Sequence, residues 1–360
     1  MLTRVERLRE QLAQKNLTGI LVTNPYNRLY LSHFTGSEGL LLILQAKAYL
    51  CTDFRYLEQA AQEAPGWEVV KLERPWTETV KKLVGPGSRI AFEAESLTYA
   101  RYRELEQEIS GVEWVAEKGL VEKLRAQKDA EEIKRLREAI RLTDEGDLYL
   151  RSLLKPGLSE KDVALELEFY LRRKGATEPS FPFIVVSGPR SSLPHGRPSG
   201  RRLVPGDIVT VDFGIVYDGY CSDLTRTFIL GPPTAQQKAL YDLVLTAQER
   251  ALALAGPGVA AASVDAAARE VIARAGYGEY FGHSLGHGVG LEIHEAPHLS
   301  SSSTEELQPG MVVTIEPGVY LPGLGGVRIE DVILITEHGR EILFQAPKHA
   351  FVLQHPEYAL

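Results

Sequence analysis

The segment DIVTVDFGIVYDGYCSDLTRTFIL, Asp207 to Leu230, leaves this chain little freedom in how it folds. Ile208 to Val216 and Tyr220 to Ile229 alternate as strands do. Asp218-Gly219 between them is a strong two-residue hairpin signal, because both residues tolerate the backbone such a turn needs. That turn fixes the register. Tyr217 faces Tyr220, Gly214 faces Asp223, and Asp212 lies diagonally beside Asp223 on the same face, roughly 7 Å away at the backbone. Two carboxylates so placed repel unless cations sit between them. Solvation on an exposed face is the plain alternative, but Asp212 is flanked by Val211 and Phe213, and Asp is disfavoured within strands.

The C-terminal part repeats this logic with glutamates. MVVTIEPGVYLPGLGGVRIEDVILIT reads as two strands around a Gly-rich turn. It places Glu316 after MVVTI and Glu330 within VRIEDVILI. A glutamate in an apolar strand is expensive unless it is paired or bound to a metal. Arg328 offers one of them an ion pair. FGHSLGHGVGLEIHEAPHLS, from Phe281, adds His283, His287, His294 and His298, four of the chain's nine histidines. It is no HExxH zinc helix, because Ser284 follows His283. Gly282, Gly286, Gly288 and Gly290 make a helix costly, so the segment reads as strand or loop whose backbone bends closely around something. Four carboxylates and an imidazole suit two divalent cations of the Mn, Co or Zn type.

At 360 residues the chain has room for two domains. LTGILVT, GLLLILQ, KAYLCTD, WEVVKL and RIAFEAE alternate with helical patterns, which gives an α/β domain over residues 1–122. Asp53, after a strand, reads as a helix cap. A long charged helical pattern starts near Val121, and Ser159 with Asp162 resembles a capping box. Residues 123–360 form an α+β domain of four helices over hairpins. A net charge of −8 without a Lys/Arg cluster argues against nucleic acid. No apolar run approaches a membrane span, and Cys51 and Cys221 form no disulfide framework. A cytoplasmic location is expected.

VDFG, SDLTRT, HSLGHGVGLEIHE, TIEPGVY and GVRIED together resemble the signature of the pita-bread metallopeptidases, the family of methionine aminopeptidase, aminopeptidase P and prolidase. The resemblance spans about residues 125 to 345. It implies a pita-bread catalytic domain behind a creatinase-like N-terminal domain, an arrangement that fits the proline-specific branch. Carried over, it implies metal ligands at Asp212, Asp223, His287, Glu316 and Glu330, with Asp223 and Glu330 bridging. His294 would hydrogen-bond substrate and the tetrahedral intermediate, His283 would line the pocket, and His195 in SSLPHGRPS would bind substrate. Arg328 would orient a bridging carboxylate and border the substrate. Glu316 would also shuttle the proton. His298 receives no role and reads as a surface or capping histidine, as do His33, His338, His349 and His355.

The activity implied is metal-dependent hydrolysis of Xaa-Pro bonds in proline-containing di- or oligopeptides, by a homodimer. Size and the GHGVG wording lean to an Xaa-Pro dipeptidase. An aminopeptidase P acting on longer peptides has the same metal chemistry and stays open. A non-catalytic peptide-binding module would have to have lost ligands that are all present here. A creatinase-like hydrolase lacks the metal set, and the N-terminal domain disfavours a methionine aminopeptidase.

Overall fold

Thr3 and Glu6 form a reciprocal capping box ahead of helix α1 (Arg4–Gln14), satisfying amides that a first turn leaves open. The computed structural model describes residues 3–349 and 351–353, so His355 lies outside the described residues. The chain divides into two units, Met1–Arg125 and Ala126–Leu360.

In the first unit, Asn24 caps α2 (Pro25–Ser32) by accepting the amides of Tyr26 and Asn27. The apolar runs become β1 (Gly19–Val22), β2 (Leu40–Leu44), β3 (Ala48–Thr52), β4 (Glu68–Lys71) and β5 (Arg89–Glu93), joined by β6 (Glu113–Glu117). They form one mixed sheet in the order β4-β3-β2-β1-β5-β6. Helices α3 (Leu57–Glu63), α4 (Trp76–Leu83) and α5 (Tyr99–Glu108) complete the α/β unit. Leu21, Leu42, Ile90, Val80 and Leu105 meet in its core. Asp53 does not cap α3, whose N-cap is Tyr56 without a side-chain bond. It accepts the Arg55 amide at 2.9 Å and pairs with the Arg55 guanidinium at 2.6 Å, so a local turn satisfies it first.

The charged pattern from Val121 breaks into α6 (Leu120–Ala126) and α7 (Ala130–Leu153). Gln127 bridges to Met311, and the Lys128 amide donates to Gly310 at 2.9 Å. Asp129 then restarts the helix with a capping box to Glu132. Tertiary pairing and a strong N-cap override a continuous periodicity. The Ser159–Asp162 capping box does open α8 (Glu160–Arg173). The apolar faces of α9 (Ala235–Leu254) and α10 (Ala261–Arg274) share a core with the sheet residues Val313, Ile315 and Ile333.

The second unit's strands include β7 (Glu178–Pro179), β8 (Ile184–Ser187), β9 (Ile208–Phe213), β10 (Ile215–Tyr217), β11 (Tyr220–Cys221) and β12 (Leu224–Leu230). Tyr217 pairs with Tyr220, Phe213 with Leu224 and Asp212 with Thr225, which is the register set by the Asp218-Gly219 turn. The ribbon is not continuous. It breaks at Gly214 and at Ser222–Asp223, and its two halves join different sheets. A Cβ on Gly214 would stand 1.9 Å from the Ser222 carbonyl oxygen, so only glycine allows this bend. β13 (Gly286–Gly288), β14 (Glu295–Leu299), β15 (Val312–Ile315), β16 (Gly318–Leu321), β17 (Gly325–Arg328) and β18 (Asp331–Thr336) follow. They repeat the design: Ile315 faces Asp331 and Gly318 faces Arg328, so Glu316 stands opposite Glu330 in a second broken ribbon. The whole is a two-domain α+β protein. Among the described residues no helix is long and apolar enough to cross a membrane, and Cys51 and Cys221 are buried free thiols.

Candidate metal centre

Both ribbons present their carboxylates where their ladders break. Asp212 is the penultimate residue of β9, two before the break at Gly214, and Asp223 lies between β11 and β12. Glu316 lies between β15 and β16, and Glu330 between β17 and β18, rather than inside apolar strands. The ribbons are tied together: the Glu330 amide donates to the Thr225 carbonyl at 3.2 Å, and Thr225 Oγ1 donates to Glu330 Oε2 at 2.8 Å. As a result one carboxylate oxygen each of Asp212, Asp223 and Glu330 lie within 4.8 Å of one another. From β13, His287 brings Nε2 to 3.5 Å from Asp223 Oδ2 and 3.3 Å from Glu316 Oε1. The structure thus gathers all five residues that the sequence singles out.

Such a cluster is unstable by itself. Burial, then the neighbouring charges of Glu330 and Asp212, push the Asp223 carboxyl well above its ordinary range. Burial, then Glu316 and Asp212, do the same to Glu330. Burial also raises Asp212, against the pull of Arg328. Burial would raise Glu316 too, but hydrogen bonding to His287 and the charges of His287, His283 and Arg328 together outweigh it and hold the carboxyl low. Burial would lower His287, but hydrogen bonding to Glu316, that group's charge, the Gly288 carbonyl and Asp212 together raise it. Asp212 Oδ1 and Glu330 Oε1 are buried without a hydrogen-bond partner among the described residues. Orphaned anionic oxygens inside a cluster of like charge are what divalent cations would satisfy, so the donor set fits the metal that the composition of the site calls for.

The cluster lines one side of a cavity of about 550 Å³. His195, His283, His294 and Arg328 line it as well, with Phe181 and Arg197. The rings of His287 and His294 meet edge to face at 4.4 Å. Burial and the nearby His287 lower the His294 pKa, and burial lowers that of His283. Arg328 spans the site: Nη2 donates to Asp212 Oδ2 at 2.6 Å, Nη1 to Tyr320 Oη at 2.8 Å, and Nη1 to the Pro194 carbonyl at 3.2 Å. Its ion pair is therefore with Asp212 and with neither glutamate. His298 is exposed as expected, yet it lines the same cavity and is the cross-strand partner of His287.

Three residues of the site escape the sequence reading. Thr225 accepts from Arg328 Nε at 3.1 Å while donating to Glu330. The hairpin register names it as the residue opposite Asp212. Thr314 accepts the His287 amide at 3.0 Å and donates to Glu316 at 3.2 Å. It lies in β15, two residues before Glu316. Tyr320 sits between Arg328 and His283 Nε2, the latter 3.0 Å away, and no local pattern marks it. The glycines of the histidine segment do mark a close backbone approach. A Cβ on Gly286 would stand 2.1 Å from the Thr314 carbonyl oxygen, and one on Gly288 2.2 Å from that of Ala296. What the backbone bends around is the neighbouring strands.

Residues 134–337 match metallopeptidase family M24, and residues 4–127 match the creatinase/prolidase N-terminal domain. The chain is 46% identical over 352 residues to the uncharacterized peptidase YqhT of Bacillus subtilis, covering 97% of this chain and all of that one. Among solved structures it is similar to an Xaa-Pro dipeptidase from Bacillus anthracis, with 45% identity, 97% and 99% coverage and a TM-score of 0.92. It is also similar to an X-Pro aminopeptidase from Thermotoga maritima, with 37% identity, 98% and 100% coverage and a TM-score of 0.89.

Proposed function

Because the chain belongs to metallopeptidase family M24, and is thereby a metal-dependent hydrolase of pita-bread architecture, we propose that it hydrolyses Xaa-Pro dipeptides. The observation that carries this reading is the five-residue donor set with two orphaned oxygens beside the cavity. Asp212, Asp223, His287, Glu316 and Glu330 would hold a pair of Mn, Co or Zn ions. When bound, such ions lower the pKa of a water and polarise the scissile carbonyl.

The chain's own groups do the rest. Glu316 takes the proton from the attacking water and delivers it to the proline nitrogen. That delivery is needed because an Xaa-Pro bond is a tertiary amide, whose nitrogen must be protonated to leave as an amine. His294 hydrogen-bonds the oxygen on which charge develops. His195 and His283 border the bound peptide. Arg328 holds Asp212 at 2.6 Å and so fixes that carboxylate's orientation.

The Thermotoga likeness favours a second reading, an aminopeptidase that accepts peptides extending beyond the proline. A matched assay separates the two. After chelation and restoration of Mn or Co, cleavage of Ala-Pro but not Ala-Pro-Ala is expected. Cleavage of Ala-Pro-Ala moves the protein to the aminopeptidase reading. No cleavage of either overturns both. In this reading the enzyme works as a homodimer, which light scattering tests. A cytoplasmic location fits its two buried thiols.

A further inference from the structure

His195 stands on a connection, Ser187 to Ser199, that has almost no regular structure beyond a single 3₁₀ turn. Such a segment needs an internal anchor if one of its side chains is to meet a substrate reproducibly. The anchor is visible at its base. Glu160, the first residue of α8, is fully buried. Its Oε1 accepts the Ser187 amide and hydroxyl, both at 2.8 Å. Its Oε2 accepts the Ser199 amide at 2.9 Å and hydroxyl at 2.6 Å. Arg190 Nε donates to the same carboxylate at 3.1 Å. Five donors from both ends of the loop thus close on one anion.

The connection then runs on to His195. Arg190 Nη2, oriented by Glu160, donates to the Arg197 carbonyl at 2.7 Å. On the other side, Arg328 holds the Pro194 carbonyl at 3.2 Å. His195 is therefore flanked by two backbone carbonyls, each held by an arginine, and each arginine is paired with a buried carboxylate: Arg328 with Asp212, Arg190 with Glu160.

We propose that Glu160 is a positioning residue for substrate recognition, which acts through Arg190 to fix where His195 stands in the cavity. This rests on the reading of His195 as a substrate contact. A carboxylate is required because it accepts on every lone pair, whereas an amide there would turn two N–H donors towards donors.

The test uses the metal-loaded full-length enzyme with Ala-Pro as substrate. E160Q is expected to lower kcat/KM by about tenfold, the scale of a small misplacement of a positioned group. E160D, which keeps the charge, recovers part of the loss. H195A is expected to be damaging, and the E160Q/H195A double variant no worse than H195A alone, because both act on one contact. E160Q should also be cleaved faster by trypsin after Arg190, the one arginine of the connection not followed by proline. If E160Q does not fold, R190Q carries the same test, since Arg190 is one-third exposed at its side chain. Parent-like kinetics in E160Q beside a damaged H195A, or losses that multiply in the double variant, overturn the proposal. A parent-like H195A overturns the contact reading beneath it, and the proposal with it.

Discussion

Asp223 lies between Asp212, Glu330 and His287, and every carboxylate near it opposes its charge. Asp223→Asn keeps the shape and removes one of those charges. Stability and function should therefore move in opposite directions. In the chelated protein we expect a thermal midpoint higher by roughly 2–4 °C, corresponding to about 1 kcal/mol of relieved repulsion. Metal-supported turnover should fall by more than the roughly 10–100-fold typical of groups one step removed from a ligand. Scanning calorimetry and an Ala-Pro assay on one preparation check both, and a midpoint that drops would show that Asp223 supports the fold without metal. Residues of this kind were legible because turn chemistry is local. Asp218-Gly219 alone sets which residues face each other, and with that the diagonal of Asp212 and Asp223. Tyr320 was not legible, because its place between Arg328 and His283 depends on two segments that only folding brings together.

Elements show the same division. The alternation of Ile208 to Ile229 reveals a ribbon, but not the break that sends its halves into separate sheets. That break comes from Gly214 meeting Ser222 and from Ser180 donating its amide to the Gly214 carbonyl at 3.0 Å, which is a tertiary event. Likewise the glycines of the histidine segment exclude a helix without saying what they approach. Two of them, four residues apart, make a paired test. Gly286→Ala drives a methyl into the Thr314 carbonyl on the adjoining strand, whereas Gly282 has nothing within 4 Å. We expect Gly286→Ala to cost about 1–3 kcal/mol or more, the range for overpacking. Gly282→Ala should stay within about 0.5 kcal/mol. Urea unfolding of the two variants measures the contrast. Equal midpoints would mean that β13 and β15 separate easily, and with them His287 and Glu316.

At the scale of the molecule, the centre ties folding to both metal and protons. Asp223 and Glu330 have raised pKa values in the fold, so between their ordinary values and their raised ones the native state binds protons that the unfolded chain has lost. Their contribution to stability is complete at low pH and is lost as pH rises through that window. His287, also raised, contributes in full below its ordinary value and loses that contribution as pH rises through the raised one. Glu316 has the opposite sign: its stabilisation is present above the ordinary glutamate range and is lost as pH falls through its lowered value. Above about pH 5 Glu316 no longer changes, but His283 and His294, whose pKa values burial lowers, gain stability as pH rises to the ordinary histidine value of about 6.5, against the loss from Asp223, Glu330 and His287. Above about pH 7 only the raised groups of the centre still change, so the chelated protein should lose thermal stability from about pH 7 to 8. A divalent cation binds the deprotonated ligands, so its affinity should rise over the same interval and its binding should release protons. Manganese titrations by calorimetry, in buffers of differing ionisation enthalpy, measure both effects. A stability profile that is flat without metal, or binding that takes up protons, would mean that these carboxylates are already ionised in the empty site and that something other than metal balances them.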